Sequence, residues 1–367
     1  MKVLQVLPSL QGGGVEVGTL EIARALVAAG HDSWVLSAGG GMVARLQEEG
    51  SRHVEWNLGK KSLLNVLQIR KLRRWLAQEK FDLVHVRSRM PAWVVYLAWK
   101  KMPVSKRPRL MSSVHGLHSV SRYSAIMCCG ERVIVVSKTA REYVTSNYPD
   151  VDPSKLRLVY RGIDPARYPW GYQATEDWKQ KWFQQYPQLR DQFVVTLPGR
   201  ITRLKGHLVL LKVVRRLLDS GTPVKAVIVG GDDPNRMGYR KEIDEAIQQA
   251  GLQEAVVFTG QRSDMRDIYS VSNVVLSLST KPESFGRTVL EALSLGVPVV
   301  GFAHGGVGEI LAALYPDGAV ALGDEAGVAE AITQLKQGKA GDLKQNNLFL
   351  LSNMQQQTLS VYRELVP

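Results

Sequence analysis

Cysteine is almost absent from this chain of 367 residues, and the two cysteines present, Cys128 and Cys129, are neighbours. Adjacent cysteines rarely bond to each other, and no C-x-x-C pair is present that could hold zinc. A disulfide-stapled fold and a structural zinc site are therefore excluded. We expect two small buried or half-buried side chains, in a protein of a reducing compartment.

Long hydrophobic runs are also missing. No segment approaches the roughly 18 apolar residues that a membrane-spanning helix requires. The first apolar run is interrupted by Pro8 and Ser9, too early for a signal peptide. We expect a cytoplasmic protein that meets membranes, if at all, at the inner face of the plasma membrane. The length favours two domains, because single cores rarely grow beyond about 250–300 residues.

Acidic residues are scarce in the first part of the chain. Residues 1–160 hold 24 Lys+Arg against 12 Asp+Glu, whereas residues 161–367 hold 23 against 22. A basic surface of this kind predicts an anionic partner, either a glycan or glycolipid or an anionic membrane surface; a merely solvated charged face is the alternative. We expect no nucleic acid partner, because no helix-turn-helix, RRM or zinc pattern is present and aromatics do not interleave with the basic run at 70–74.

Short Val- and Leu-rich runs alternate with amphipathic helical patterns, which is typical of parallel sheets covered on both faces. Candidate strands in the first half are Val3–Leu7, Ser33–Leu36, His53–Trp56, Leu83–Val86, Leu110–Val114, Arg132–Val136 and Arg157–Tyr160. In the second half they are Phe193–Leu197, Ala226–Val229, Val256–Phe258, Val274–Leu278, Val297–Val300 and Ala319–Leu322. The pattern predicts an α/β protein of two doubly wound, Rossmann-like domains facing a deep cleft.

The Pro- and Gly-containing stretch at 164–171 marks the connection between these domains. We place the domains at 1–165 and 166–346, followed by a long helical pattern over Asn347–Leu365. A further helix is predicted over Leu63–Gln78. Its apolar side is expected to hold Leu64, Leu67, Leu72, Trp75 and Leu76, and its polar side Arg70, Lys71, Arg73 and Arg74.

A glycine turn, Gln11–Glu16, follows the first strand and opens a helix near Glu16. The backbone at Gly13 and Gly14 can approach a ligand closely, and the helix N-terminus supplies N–H donors. This favours a phosphate or sugar oxygen, although glycine turns also open many helices for structural reasons. The turn is neither G-x-G-x-x-G nor a P-loop.

A cationic loop, Pro198–Gly206, follows the first strand of the second half and carries Arg200, Arg203 and Lys205. Cations at a strand end suit a diphosphate, whose charge rises as it becomes a leaving group. An exposed charged loop without function is the alternative.

The segment Glu283–Glu291 follows another strand, and a helix can begin within it at Phe285-Gly286-Arg287-Thr288. Free N–H groups at that helix start can face an anion. Glu283 and Glu291 can grip hydroxyls at two separate points of one ligand. His115, which precedes Gly116 at the end of a first-half strand, is expected to point into the cleft, although a lone histidine is more often structural.

Taken in order, these motifs resemble the retaining nucleotide-sugar glycosyltransferases of family four, which have the GT-B fold. The resemblance rests on the glycine turn, His115-Gly116, Gly162-Ile163-Asp164, the Arg200–Gly206 loop and Glu283–Glu291, and it covers essentially the whole chain. Many members build lipopolysaccharide cores, capsules and glycolipids. The chain is therefore expected to be a transferase of the hexosyltransferase class.

The resemblance implies roles for the matching residues. Arg200 and Lys205 would hold the donor diphosphate, Glu283 the sugar hydroxyls and Glu291 the ribose. Gly13 and Gly14 would close on the diphosphate, and His115 would lie near the reacting sugar carbon. The remaining donor contacts implied are Arg262 beside the nucleobase and the segment Ser284, Phe285, Gly286, Arg287 and Thr288, mainly through its backbone.

The resemblance also implies that no metal or other cofactor is needed, that a UDP-sugar is favoured as donor, and that the final helix packs back on the N-terminal domain. Asp232-Asp233 lacks the Asp-x-Asp spacing of a metal site. The family offers no agreed nucleophile, and front-side attack is its usual proposal. With the basic N-terminal half, the expected acceptor is an acidic envelope glycan or glycolipid such as a lipopolysaccharide core, with helix 63–78 resting on an anionic leaflet.

Two departures from the family pattern stand out. Arg161 precedes Gly162 where the family commonly has asparagine, and Val17 follows Glu16 where a polar residue is common. Other enzymes of the same scaffold, a phosphorylase or a sugar-nucleotide epimerase, remain alternatives, as does a non-catalytic nucleotide- or glycan-binding protein.

Overall fold

The computed structural model describes residues 1–59, 65–231 and 237–366. The chain divides into two compact units. Unit 1 comprises residues 1–162 together with the C-terminal residues from 351, and unit 2 comprises Ile163–Leu350. The sequence placed these divisions after 165 and before 347.

Unit 1 is built on a parallel sheet that, within the described residues, has seven strands in the order β3-β2-β1-β4-β5-β6-β7. The strands are β1 Lys2–Val6, β2 Asp32–Ser37, β3 Arg52–Glu55, β4 Leu83–Val86, β5 Arg109–Val114, β6 Arg132–Val135 and β7 Leu156–Leu158. The helices are α1 Gly14–Ala28, α2 Val43–Glu48, α3 Asn65–Glu79, α4 Arg89–Lys100, α5 Arg122–Ala125, α6 Lys138–Asn147 and, at the end of the chain, α14 Leu351–Leu365.

Unit 2 has a second parallel sheet, whose described strands number six in the order β10-β9-β8-β11-β12-β13. They are β8 Val194–Pro198, β9 Lys225–Val229, β10 Val256–Gly260, β11 Val274–Ser277, β12 Val299–Phe302 and β13 Ala319–Val320. The helices are α7 Glu176–Gln185, α8 His207–Asp219, α9 Met237–Gln249, α10 Met265–Ser270, α11 Arg287–Ser294, α12 Gly305–Leu314 and α13 Glu325–Lys336. The predicted fold, two doubly wound α/β sheets, is confirmed.

Short 3₁₀ turns lie between these elements at Val104–Lys106, Ile126–Cys128, Pro153–Lys155, Pro187–Leu189, Arg203–Lys205 and Pro316–Gly318.

The strands form because their side chains are apolar on both faces. In β1, Val3, Leu4 and Val6 are fully buried, as expected for a parallel strand with helices above and below. Strand ends differ from the prediction by a few residues. The strand predicted from Val297 begins at Val299, because Pro298 has no N–H to join the ladder and only its carbonyl pairs, with the Val275 N–H.

The direction in which strands are added reverses once in each sheet. The reversal lies between β1 and β4 in unit 1 and between β8 and β11 in unit 2. Loops leave the sheet on opposite sides at such a switch point and open a crevice at the carboxyl ends of the strands, where ligands bind in doubly wound sheets.

The final helix belongs to unit 1. Tyr362 of α14 is fully buried, and Glu364 forms ion pairs with Arg132 and Arg157, each at 2.7 Å. The helix begins at Leu351 rather than at the predicted Asn347. The residues just before it pair with Ile163 instead of joining the helix. The Phe349 carbonyl accepts a hydrogen bond from the Ile163 N–H, and Leu350 forms an isolated β-bridge with Ile163.

Helix α3 confirms the predicted amphipathic pattern. Leu72 and Leu76 are fully buried, and Trp75 packs against Trp34, Trp56 and Phe81. Exposed side chains on its other side include the cations Arg70, Lys71 and Arg74. Leu63, Leu64 and the Leu67 side chain lie outside the described residues.

Both cysteines are free thiols, as predicted. Cys128 is buried and Cys129 half-buried. Burial raises the pKa of Cys128 to about 11 and that of Cys129 to about 12, so neither is a reactive thiolate at neutral pH. Among the described residues, no helix combines the length and apolar character required to cross a bilayer.

Candidate functional site

In unit 2, the crevice between β8 and β11 brings two of the predicted residues into contact. Lys205 ends the turn Arg203–Lys205 after β8, and its Nζ donates to Glu283 Oε1 at 2.8 Å. Glu283 lies in the loop after β11. These residues are 78 positions apart in sequence, and the switch point places them together.

Two glycines allow the Lys205 loop to fold as it does. Gly199 has φ +139°, and a methyl group there would lie 3.0 Å from Lys205 Cε, so the lysine stem lies against bare backbone. Gly206 has φ +75°, and a side chain there would overlap the carbonyl oxygen of Leu278. The loop therefore requires glycine on both sides of its cation.

Glu283 is held as a carboxylate by its neighbours. Burial raises its pKa, but the Lys205 charge and hydrogen bonds from Lys205 and Ser279 outweigh this, so the net pKa lies below the usual range. His304 Nε2 donates to the Ser279 carbonyl at 2.8 Å, which supports the same loop. Ser279 and His304 were not predicted, and both lie at carboxyl ends of β11 and β12.

Helix α11 begins as predicted. Gly286, with φ +105°, precedes its first residue Arg287. The Phe285 side chain is 3% exposed and packs against Phe349, so it belongs to the core and only its backbone faces the helix start. Ser284 and Thr288 are half-buried on either side of this turn.

Glu291 is also where the pattern predicts, one turn inside α11. Its side chain is buried, Oε1 accepts from Arg287 Nε at 3.0 Å, and Oε2 accepts from Tyr269 Oη at 3.3 Å. Burial, together with the Glu291 carboxylate, raises the pKa of Tyr269. Both predicted residues, Arg287 and Glu291, are thus bonded to each other.

The remaining predicted cations are either exposed or paired with other carboxylates. Arg200 is exposed, and no described residue forms an ion pair with it. Arg262 follows β10, two strands from the switch point, and binds Asp264 at 2.6 Å. Trp178 Nε1 donates to the same carboxylate at 2.8 Å. Arg203 is bound to Glu242.

In unit 1, the carboxyl ends of β1, β4 and β5 surround an open pocket of about 180 Å³. Its lining includes Pro8, Glu16, Arg87, Ser88, His115 and His118. The predicted glycine turn lies at its edge, since α1 begins at Gly14 with Gly13 preceding it. His115 follows β5 as predicted.

Arg161, which the sequence marked only as a departure from the family pattern, fixes His115. Its Nη1 donates to the Gly14 carbonyl at 2.5 Å, and its Nη2 lies 3.1 Å from His115 Nδ1. A guanidinium can only donate, so His115 Nδ1 is the acceptor and the ring proton resides on Nε2. Burial, and then the charges of Arg161 and Arg87, hold the pKa of His115 well below its usual range, so the ring is neutral.

Arg87 was missed altogether. It directly follows β4 at the switch point, is 5% exposed, and donates from Nη1 to Gln5 Oε1 at 2.8 Å. The sequence did offer a signal for Arg87, because it is a cation placed immediately after the apolar run Leu83–Val86. For Arg161 no local signal existed, because its partners are distant in sequence.

Below this pocket, a buried chain of hydrogen bonds links α14 to the sheet. Tyr362 Oη lies 2.8 Å from His85 Nδ1, and His85 Nε2 lies 2.5 Å from Ser113 Oγ. Burial, then the Arg87 charge, lowers the pKa of His85 well below its usual range. The final helix therefore supports the strands that carry Arg87 and His115.

Within the described ranges, no group of three or more His, Cys, Asp or Glu side chains is arranged to hold a metal ion. Asp232 and Asp233, which the sequence argued against as metal ligands, lie outside the described residues.

Two family models match the chain. Glycosyltransferase Family 4 matches residues 12–167, and Glycosyl transferases group 1 matches residues 179–347. Among curated relatives, the N-acetyl-alpha-D-glucosaminyl L-malate synthase of Bacillus anthracis is 25% identical over 352 residues, covering 89% of this chain and 85% of the relative.

Solved structures agree with this fold along the whole chain. A glycosyltransferase from Rickettsia africae is 27% identical with a TM-score of 0.85, covering 100% of this chain and 98% of that one. Anabaena Alr3699/HepE, solved in complex with UDP and glucose, has a TM-score of 0.84 at 22% identity, covering 99% and 100%. The chain is therefore a glycosyltransferase with the GT-B fold, similar to glycosyltransferase family 4.

Proposed function

We propose that this protein transfers a hexose from a nucleotide diphosphate sugar, bound by unit 2, to an anionic acceptor bound by unit 1. The observation that carries the donor site is the Lys205–Glu283 pair at the switch point between β8 and β11. Support for the donor class comes from the structural similarity to Alr3699/HepE, which was solved with UDP and glucose.

The pair suits a donor because its two members offer opposite hydrogen-bonding roles. An ammonium has three N–H donors, and only one of those on Lys205 is directed at Glu283. The others can bind the diphosphate and offset the charge that develops as it leaves. Glu283, ionised by its environment, accepts hydrogen bonds from sugar hydroxyls.

Further donor contacts are assigned to the residues around this pair. Arg200, exposed in the same loop as Lys205, binds the diphosphate, and backbone N–H groups at the start of α11 complete the cradle. Glu291 binds the ribose and Arg262 borders the base, each in exchange for the internal partner it has in this structure. Cations take the place of a metal, so the reaction is metal-independent, and UDP is the favoured nucleotide.

In unit 1, His115 is assigned to the reacting sugar carbon. Its neutral ring, with the proton on Nε2, is a donor toward that side and cannot act there as a base. The resemblance to family four favours transfer with retention of configuration by front-side attack.

The acceptor is proposed to be an acidic glycan or glycolipid of the cell envelope, such as a phosphorylated lipopolysaccharide core. The excess positive charge lies in the part of the chain that forms most of unit 1. The Bacillus anthracis relative carries L-malate, a dicarboxylate, in its name. The exposed cations of α3 would rest on the anionic inner leaflet.

Calorimetric titration with UDP, GDP and ADP, without added metal, tests the donor site. We expect one nucleotide, UDP, to bind with a dissociation constant of about 1 μM, equivalent to about 8 kcal/mol. Lys205→Ala and Glu291→Ala should each weaken binding about 10- to 100-fold, the effect of a charged hydrogen bond.

Lys212→Ala is the matched control, because Lys212 is an exposed lysine of unit 2 paired with Glu325 outside this crevice. It should bind UDP like the unmodified protein. If none of the three nucleotides binds, the proposed donor site is contradicted, and a non-catalytic binding role becomes the better explanation.

Vesicle pelleting at low salt tests the membrane surface. Replacing Arg70, Lys71 and Arg74 of α3 with glutamine should reduce binding to vesicles containing phosphatidylserine by about 100-fold, since each basic residue contributes about 1 kcal/mol. Three glutamines at the exposed unit 2 cations Lys212, Arg216 and Lys241 serve as the control. Equal pelleting of the unmodified protein with neutral and anionic vesicles would end this part of the proposal.

A further inference from the structure

The open pocket of unit 1 lies where a doubly wound sheet binds ligands. Pro8 follows β1, Arg87 and Ser88 follow β4, and β1 and β4 are the strands between which the order reverses. The pocket is about 180 Å³, enough for a small polar group, and Arg87 and His115 also line a second, much smaller cavity of unit 1. Arg87 and His115 are therefore the side chains that the pocket and the smaller cavity share.

Arg87 is a buried cation with unused donors. Its accessible surface is 5%, and Nη1 is bonded to Gln5 Oε1, but Nε is buried without any acceptor among the described residues. No described carboxylate forms an ion pair with it. A buried guanidinium is costly unless its N–H groups and its charge are matched, so this arrangement favours an anion as the missing partner.

A second guanidinium lies beside the first. A methyl group at Gly18 of α1 would lie 3.2 Å from Arg161 Nη1 and 3.4 Å from Arg87 Nη2, so both groups pack over this glycine. Arg161 is 8% exposed. Glycine at this position therefore allows two like charges to converge over α1, at the smaller cavity that Gly18, Arg87 and Arg161 all line.

Two described carboxylates lie near these guanidinium groups, but neither forms an ion pair with Arg87. Burial lowers the pKa of Arg87, and Tyr362 and then Glu21 act against this; the Glu21 Oε2 lies 3.9 Å from the same methyl position at Gly18. The Glu16 carboxylate folds back over Gly13 at the start of α1, where free N–H groups stabilise it. The pKa values of His115 and His118 are both lowered, by burial first and then by neighbouring arginines, so neither ring adds a charge or offers a counter-ion.

We propose that this pocket binds an oxyanion of the acceptor, a phosphate monoester or a carboxylate, with Arg87 as the residue that determines specificity for it. The inference rests on the proposed function and deepens it, since it gives the anionic acceptor a named partner. A guanidinium can bind such a group through two parallel N–H groups, which fixes orientation as well as charge. His115, held by Arg161, lies beside the bound group.

Titration with inorganic phosphate and with malonate, followed through the imidazole signals of histidine-labelled protein, tests the site. A saturable shift of the His118 signal is expected with at least one of the two anions. Arg87→Gln should weaken this binding at least tenfold, and Arg122→Gln, an exposed arginine of unit 1, should leave it unchanged. Binding of neither anion, or equal binding by Arg87→Gln, overturns the proposal.

A second arm separates the acceptor from the donor. Saturating UDP should leave phosphate binding at His118 in place; displacement by UDP would assign the pocket to the donor and overturn the inference. UDP titration of Arg87→Gln also reports whether the variant is folded. If glutamine unfolds the protein, Arg87→Lys, which keeps the charge, should bind phosphate within about fivefold of the unmodified protein, and loss of binding with UDP binding intact would count against the site.

A protein that binds UDP but neither anion contradicts only this inference. A protein that binds no nucleotide contradicts the proposed function itself.

Discussion

Lys205→Met is expected to slow sugar transfer about 10²- to 10³-fold, the effect of removing one preorganised group that stabilises a leaving oxyanion. Methionine keeps the stem that lies against Gly199 and removes only the charge. The readout is the release of UDP from whichever UDP-sugar the unmodified protein hydrolyses fastest, with water as acceptor. Lys212→Met, an exposed lysine of α8, is the matched control and should change the rate less than twofold.

Adding Glu283→Gln to Lys205→Met separates catalysis from stability. Lys205→Met alone leaves the Glu283 carboxylate largely buried without its cation, so the free energy of unfolding should fall by about 1–3 kcal/mol. The double variant should recover part of that stability, because the unpaired charge is gone, but none of the rate. A Lys205→Met protein that transfers within tenfold of the unmodified rate would contradict the assigned role of Lys205.

Gly206→Ala is expected to lower the free energy of unfolding by about 3–5 kcal/mol. The backbone has φ +75° there, and the added methyl group would overlap the Leu278 carbonyl oxygen. The loop can relieve this overlap only by moving away from β11, which would separate Lys205 from Glu283. Urea unfolding and the UDP titration measure both consequences.

Gly221→Ala is a closely matched control. Gly221 has φ +73°, nearly the same backbone conformation, but nothing lies within 4 Å of the added methyl group. Its cost should be the backbone strain alone, about 1 kcal/mol. If the free energy of unfolding falls equally in the two variants, the Leu278 carbonyl does not restrict position 206 to glycine.

Most of the fold was readable from the sequence because parallel strands buried on both faces have a simple local signature. The run Val3–Leu7 predicts a strand from its own side chains, and the structure has Lys2–Val6. The predicted ends of helices and strands were less accurate where a contact with a residue distant in sequence sets the end. The helix predicted from Asn347 starts at Leu351 because Ile163, far away in sequence, pairs with Phe349 and Leu350.

The candidate site was predicted unevenly. The motifs of unit 2 located Lys205 and Glu283, since glycine turns and charged residues after apolar strands are local features. These motifs did not show that the Phe285 side chain packs in the core or that Arg287 and Glu291 form a hydrogen bond. Both contacts depend on tertiary packing. The same limit applied to Arg161, whose partners Gly14 and His115 are 147 and 46 residues away.

By itself, the sequence determined the two doubly wound sheets, the absence of a disulfide framework and the strand ends that carry the chemical groups, because each depends on the pattern of neighbouring side chains. Only the tertiary structure decided which of those groups meet. The strand order puts β1 beside β4 and β8 beside β11, and it thereby placed Arg87 at one switch point and the Lys205–Glu283 pair at the other. The pKa of Glu283 lies below its usual range because Lys205 and Ser279 surround it in space, and its neighbours along the chain could not show this.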